Sequence, residues 1–192
     1  MKQEVLIFLF DGYADWEAAY LAPELNGPGS PYTVRTVALD VGPKTSMGGF
    51  RALPDYTLET CPSEFAALVL PGGNTWLEGQ NKGVLPLVDR AVRAGIPVGA
   101  ICNACAFLAQ HGYLDHIPHS GNTLAFLKQC APAYRGDAWF QERQAVVGSN
   151  IVTANGYGTL EFTRALLILL KAKSDEDLSQ WYVGHRQGYY PA

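Results

Sequence analysis

The sequence predicts an α/β protein with a mostly parallel central sheet and helices on both faces. Short apolar runs without alternation recur at residues 5–10, 66–70 and 96–101, and such runs mark strands buried on both faces. Helical segments separate them, at about 84–94, 104–110 and 159–173; strands alternating with helices at these intervals build βαβ units. Three of the strand ends also carry unusual residues, and open α/β sheets bind ligands at the carboxyl ends of their strands.

The 192 residues are enough for one domain spanning 1–192, with ample length for a core. A hydrophobic share of 48% and a charged share of 17% fit a compact enzyme-like chain. A net charge of −4 argues against a nucleic-acid partner, which needs a basic face. No stretch approaches the roughly 18–20 apolar residues that span a bilayer. The start, Met1-Lys2-Gln3-Glu4, runs directly into a strand pattern and lacks the features of a signal peptide. Four cysteines in a chain of this size do not suggest a disulfide framework, so a cytoplasmic setting is expected.

In chain order, the first buried strand covers 4–10 and ends at Asp11-Gly12. A helix is expected over 14–25, made irregular late by Tyr20 and Pro23, followed by a Gly/Pro-rich loop at 26–31. A second strand covers 32–39, and 41–60 reads as short strands and turns around Gly48-Gly49 and Pro54. The strand at 65–70 closes on Pro71-Gly72-Gly73-Asn74. Leu85, Val88 and Val92 give the next helix an apolar face, with Gly95 as its stop. The strand at 96–101 and the helix at 104–110 then meet at Cys102. Beyond a loop at 113–122 lie a helix at 123–130 and a hairpin at 144–154 turning at Gly148-Ser149-Asn150. The turn Asn155-Gly156-Tyr157-Gly158 opens the apolar helix 159–173, and Ser174-Asp175-Glu176-Asp177 caps a last helix ending near Gly184.

A strand that passes into a helix through one residue leaves that residue on a tight, exposed turn over the helix N-terminus. Partial positive charge and free N–H groups there favour an anion, so the Cys102 thiol is expected to ionise more readily than a free cysteine and to serve as nucleophile. Glu17, near the start of the first helix, is a candidate acid–base partner, although Asp11 and Asp15 share its neighbourhood and Glu17 could simply favour the helix end. The Gly72-Gly73 loop lets backbone approach a ligand, and with the Asn103 N–H it could form an oxyanion hole; a plain turn is the alternative. Cys102 and Cys105 make a C-x-x-C, but Cys105, three residues on, would face the core. His116 and His119 lie in a later loop that could fold back, which makes His119 a candidate third catalytic residue. No second Cys/His pair stands at ligand spacing, so neither a metal nor a cofactor is expected.

Taken together, residues 9–17 (Leu-Phe-Asp-Gly-Tyr-Ala-Asp-Trp-Glu), Leu68-Val69-Leu70-Pro71-Gly72-Gly73 and Ala100-Ile101-Cys102-Asn103-Ala104 resemble the ThiJ/PfpI superfamily. Gly112-Tyr113-Leu114-Asp115 and 155–162 extend the likeness over nearly the whole chain. The resemblance implies a flavodoxin-like three-layer sandwich shared with glutamine-amidotransferase domains, and a homodimer. It implies Cys102 as nucleophile, Glu17 as the acid hydrogen-bonded to it, and Gly73 and Asn103 as backbone donors; Gly72, Asn74 and Asn122 fall in the pocket. The chain departs from the peptidase pattern at Asn103, where a histidine would follow the nucleophile. It departs again at Asn122, seven positions after Asp115, where many members carry a histidine; His119 stands three residues earlier. The expected function is a cysteine-dependent hydrolase or lyase acting on a small amide, aldehyde or glycation adduct. The alternative is a non-catalytic redox sensor working through oxidation of Cys102.

Overall fold

A computed structural model describes residues 2–188. In chain order the strands are β1 (Gln3–Phe8), β2 (Tyr32–Ala38), β3 (Lys44–Thr45), β4 (Arg51–Ala52), β5 (Tyr56–Thr57), β6 (Ala67–Leu70), β7 (Val98–Ile101), β8 (Ala145–Gly148) and β9 (Ile151–Ala154). The helices are α1 (Leu21–Asn26), α2 (Leu85–Arg93), α3 (Asn103–Gln110), α4 (Leu124–Cys130), α5 (Thr159–Leu169) and α6 (Asp175–Gln187). Seven strands form one sheet in the order β5-β2-β1-β6-β7-β9-β8, parallel except for the β8–β9 hairpin. β3 and β4 form a separate antiparallel pair. This is the flavodoxin-like three-layer arrangement, with α1, α5 and α6 packed together and α3 packed with α4.

The non-alternating apolar runs lie where such runs must. All four residues of β6 and all four of β7 are buried, because helices cover both faces of a central parallel strand. Since β1, β6 and β7 are neighbours and parallel, their carboxyl ends stand side by side. The three chemically unusual segments that follow them therefore open on one edge of the sheet.

Two elements differ from expectation for local reasons. The helix expected over 14–25 is a 3-10 turn (Asp15–Ala18) followed by α1. Proline lacks an N–H and is tolerated only in a helix's first turn, so Pro23 fixes the start of α1 no earlier than about Leu21. The segment before it is tied elsewhere: Ala14 N–H donates to Gly72 O (2.9 Å), and Asp15 Oδ1 accepts from Gly48 N–H (2.9 Å). At the other end, α5 stops at Leu169, short of 173. Lys171 takes a left-handed φ of 52°, while Lys171 N–H and Ala172 N–H close back onto Ile168 O and Leu167 O, a Schellman stop reached without glycine. Ser174 then caps α6 through Asp177 N–H (3.1 Å), and the helix runs past Gly184.

One glycine sets how closely α5 seats on the sheet. A Cβ at Gly99 in β7 would lie 2.8 Å from Phe162 Cζ and 2.9 Å from Leu166 Cδ1. Both side chains are fully buried. Gly99→Ala should therefore force α5 outward and cost about 1–3 kcal/mol, as overpacking of a filled core does, read as a lower urea midpoint at unchanged slope. An unchanged midpoint would show that α5 is not held this tightly.

Candidate active site

Cys102 sits on the turn the sequence requires. Its N–H donates to Ala154 O (2.9 Å), prolonging the β7–β9 ladder by one residue, and α3 begins at Asn103. Between them Cys102 adopts φ 60°, ψ −126°, a conformation that costs an L-residue on the order of 1–3 kcal/mol and is kept only where neighbours enforce it. The half-buried sulfur faces the first N–H of α3, from Asn103.

Glu17 comes to the same place from the 3-10 turn. It is 1% exposed; Oε2 accepts the Gly72 N–H (2.5 Å), while Oε1 is buried with no partner among the described residues. The convergence is measured at Gly72. A Cβ there would lie 2.6 Å from Cys102 Cβ, 2.7 Å from Glu17 Oε2 and 3.1 Å from Cys102 Sγ. Only a residue without a side chain leaves room for the thiol and the carboxyl to stand together. Gly156 does the same from another side, since a Cβ there would lie 3.1 Å from the sulfur.

This crowding sets the ionisation of both groups. Burial pushes the Glu17 carboxyl up to about 7, with the Gly72 N–H and the Cys102 thiol pulling the other way. Burial also pushes the Cys102 thiol up, and the Glu17 charge adds to it; Asn122 and the Asn103 N–H oppose. The expectation of a readily ionised thiol is corrected here. The helix terminus does face the sulfur, but desolvation and a neighbouring carboxylate outweigh it.

Two asparagines complete the surroundings. Asn122 Nδ2 lies 3.6 Å from Cys102 Sγ and 3.2 Å from Asn103 Oδ1, and its Oδ1 accepts the Gly156 N–H (3.0 Å). Asn103 Nδ2 donates to Gly73 O (3.2 Å), tying α3 to the glycine loop. Gly73 itself, at φ 153° and ψ 157°, has a backbone open only to glycine.

Other expected site residues lie apart. His119 is fully buried; Nδ1 meets Ile117 O (2.7 Å), Nε2 meets Tyr134 Oη (2.6 Å), and the ring edges onto Phe140. Both nitrogens are engaged, so His119 does not complete a triad. Asn74 is exposed, and its carbonyl caps a 3-10 turn by accepting from Leu77 N–H, outside the cleft. His116 is exposed as well. Cys105 is wholly buried with Sγ 3.3 Å from both Ala100 O and Ala154 O, its thiol pushed far up by burial, and all four cysteines are free. Among the described residues no three His, Cys, Asp or Glu are grouped to hold a metal ion.

The sulfur opens into a cleft of about 840 Å³, with Trp16 and Tyr157 on its walls and Thr123, Gln144 and Asn155 beside Asn122. Sequence reasoning read 155–158 as a turn within a family-like segment and 144–154 as a hairpin, and neither Gly156 nor Gln144 carried a chemical signal of its own. The available signal was the likeness of 155–162 to the superfamily; the structure shows Tyr157 almost fully exposed, at 96%.

An elbow cysteine stands beside a buried carboxyl at the carboxyl edge of a mostly parallel sheet in a flavodoxin-like α/β protein. The chain belongs to the DJ-1/PfpI family, whose model matches residues 3–169. It is 37% identical over 188 residues to the Bacillus subtilis protein named uncharacterized protease YdeA, covering 98% of this chain and 93% of that one. It is 30% identical over 113 residues to the protein named deglycase TK1284 of Thermococcus kodakarensis, covering 58% and 67%. The crystal structure of a thiJ/pfpI family protein from Bacillus anthracis superposes with a TM-score of 0.92 at 34% identity, covering 98% of this chain and 92% of that one.

The Glu17 carboxyl yields a pH prediction. Its folded pKa stands above its ordinary 4.5, so the contribution to stability is full below about 4.5 and is lost as pH rises through about 7. Glu17→Gln should therefore gain on the natural protein between pH 4 and 8, by at most roughly 3 kcal/mol, measured as the difference in Tm across that range. A difference that does not change with pH would place the Glu17 pKa in the ordinary range.

Proposed function

We propose that this protein is a cysteine-dependent hydrolase or lyase acting on a small amide, aldehyde or glycation adduct, with Cys102 as nucleophile and Glu17 as proton shuttle. The observation that carries the reading is the pair itself: a strained, cleft-facing thiol beside a buried carboxyl poised near neutrality. A general acid–base group works best when its pKa lies close to the working pH, because it can then both accept and return a proton. The names protease and deglycase borne by relatives fit this chemistry.

In this reading the thiol stays protonated until a substrate carbonyl lies over it. As the S–C bond forms, the thiol proton passes to the Glu17 carboxylate, and the developing oxyanion is taken by the N–H groups of Asn103 and Gly73. Asn122 Nδ2 steadies the sulfur charge during the transfer. With an amide, Glu17 returns the proton to the departing nitrogen as the C–N bond breaks, leaving a thioester. Water then attacks, giving its proton to Glu17, and the thiol leaves protonated. With an aldehyde, the proton goes to the oxygen and a thiohemiacetal results. No histidine enters any step.

A second reading rests on the half-exposed sulfur with two fixed donors, Asn122 Nδ2 and the Asn103 N–H, which suit the oxygens of an oxidised cysteine. In that case mild peroxide adds two oxygens at Cys102 alone and no substrate turns over. The proposal takes the setting as cytoplasmic, which suits four free cysteines. It takes the assembly as a homodimer, which suits the exposed Val41, Phe50 and Leu53 around β4. Among the described residues no helix is long and apolar enough to cross a membrane.

Across a panel of small amides, aldehydes and glycated amines, Cys102→Ala should abolish turnover. Glu17→Gln should lower kcat/KM by about 10²–10⁴, and in the natural protein kcat/KM should rise with pH to half its plateau near pH 7, where Glu17 becomes able to accept the thiol proton. Full activity in Cys102→Ala would refute the proposal; two-oxygen addition at Cys102 with silence across the panel would favour the sensor.

A further inference from the structure

The cleft over Cys102 continues into a second cavity. Asn122, Thr123, Gln144 and Asn155 line both, and the second bay adds about 610 Å³ to the first. Either volume alone lies in the range of a drug-sized ligand site, so the two together far exceed a small aldehyde or amide.

The chemistry of the bay differs from that of the reaction cleft. Phe140 and Ala145 give it apolar surface, while Glu142, Arg143 and Glu161 bring charges of both signs. Among the described residues neither Glu142 nor Arg143 has an ion-pair partner, and Glu161 uses only Oε1, which accepts the Tyr182 hydroxyl (2.8 Å). The wall that carries these charges is fixed. Ser120 Oγ donates to Arg143 O, Gln141 N–H donates to His119 O (2.8 Å), and Asn155 N–H donates to Gln144 O (3.1 Å). The buried His119, pinned at both nitrogens, is part of this scaffold.

We propose that the bay is a substrate subsite for a zwitterionic, amino-acid-like group joined to the reacting carbon by a flexible spacer. Its carboxylate pairs with the Arg143 guanidinium and its ammonium with Glu142 and Glu161. Fixed backbone presenting unpaired charges of both signs beside an apolar floor suits such a group better than a purely apolar or singly charged one. The inference rests on the reading of Cys102 as the nucleophile and extends it from the reacting carbon to the rest of the substrate.

Three haloacetamides that alkylate thiols test it: Nε-iodoacetyl-lysine, which carries a zwitterion on a four-carbon spacer; N-pentyl iodoacetamide, of similar length without charges; and iodoacetamide itself. In each reaction the S–C bond forms, the C–I bond breaks, iodide leaves and the thiol proton passes to Glu17 or solvent. Rates are followed by intact mass, with Cys102 confirmed by peptide mapping. Nε-iodoacetyl-lysine should label Cys102 about tenfold faster than the pentyl probe, a difference of about 1.4 kcal/mol. Arg143→Gln and Glu142→Gln should each erase most of that advantage while leaving the iodoacetamide rate unchanged. Equal rates for the two long probes, or a lysine-probe advantage that survives Arg143→Gln, would overturn the subsite. Failure of all three probes to alkylate Cys102 at all would overturn the nucleophile reading and the subsite with it.

Discussion

The site depends on the absence of one side chain. At Gly72 the backbone N–H holds the Glu17 carboxylate, and the space a Cβ would need is taken by that carboxyl and by the β-carbon and sulfur of Cys102. Everything chemically unusual about the protein follows from this crowding. Burial without a counter-charge lifts the carboxyl toward neutrality. The carboxyl in turn lifts the thiol. Both groups thus resist ionising, as a coupled unit rather than two independent acids. The strained Cys102 backbone is held by the sheet bond to Ala154 on one side and the start of α3 on the other.

Parallel topology makes that crowding possible. β1, β6 and β7 are adjacent and run the same way, so the segments carrying Glu17, Gly72 and Cys102 leave the sheet at one edge although they lie far apart in the chain. Their burial is visible in the sequence as unbroken apolar runs, which is why the sheet, the elbow and the glycine loop could all be read from composition and order. The 3-10 turn that aims Glu17 inward could not. It exists because Pro23 forbids an earlier start to α1 and because Gly72 and Gly48 bind the preceding backbone, and the second of these causes is a tertiary contact invisible to local pattern.

The histidine shows the limit from the other direction. His119 has the residue type that catalysis favours and lies three positions from the place where the resemblance expects a histidine, but position decides. Asn122 occupies the place beside the sulfur, and His119 turns into the core to meet Ile117 and Tyr134. Spacing counted from Leu114-Asp115 pointed to Asn122; residue chemistry pointed to His119, and here the spacing was the better guide. Asn74 misled for a similar reason: it follows the glycines in sequence, yet the chain turns outward at once.

An asparagine beside the sulfur, at Asn122, has a consequence for how the thiol is governed. A histidine beside a cysteine can take its proton and form an ion pair, so the thiolate is made before substrate arrives. An amide cannot take a proton at neutral pH. It can only offer a fixed donor, and the Asn122 donor is shared between the sulfur and Asn103 Oδ1. Among the described residues the base beside the sulfur is Glu17, and in the proposed reaction it takes the thiol proton as negative charge passes to a stabilised oxyanion or leaving group. In the proposed reaction nucleophilicity is thereby tied to the presence of an electrophile: the thiol is protonated at rest and loses its proton in the act of attack. A thiolate in a wide cleft would be exposed to every oxidant that entered, and on this proposal the raised pKa of Cys102 is what keeps it protonated between turnovers.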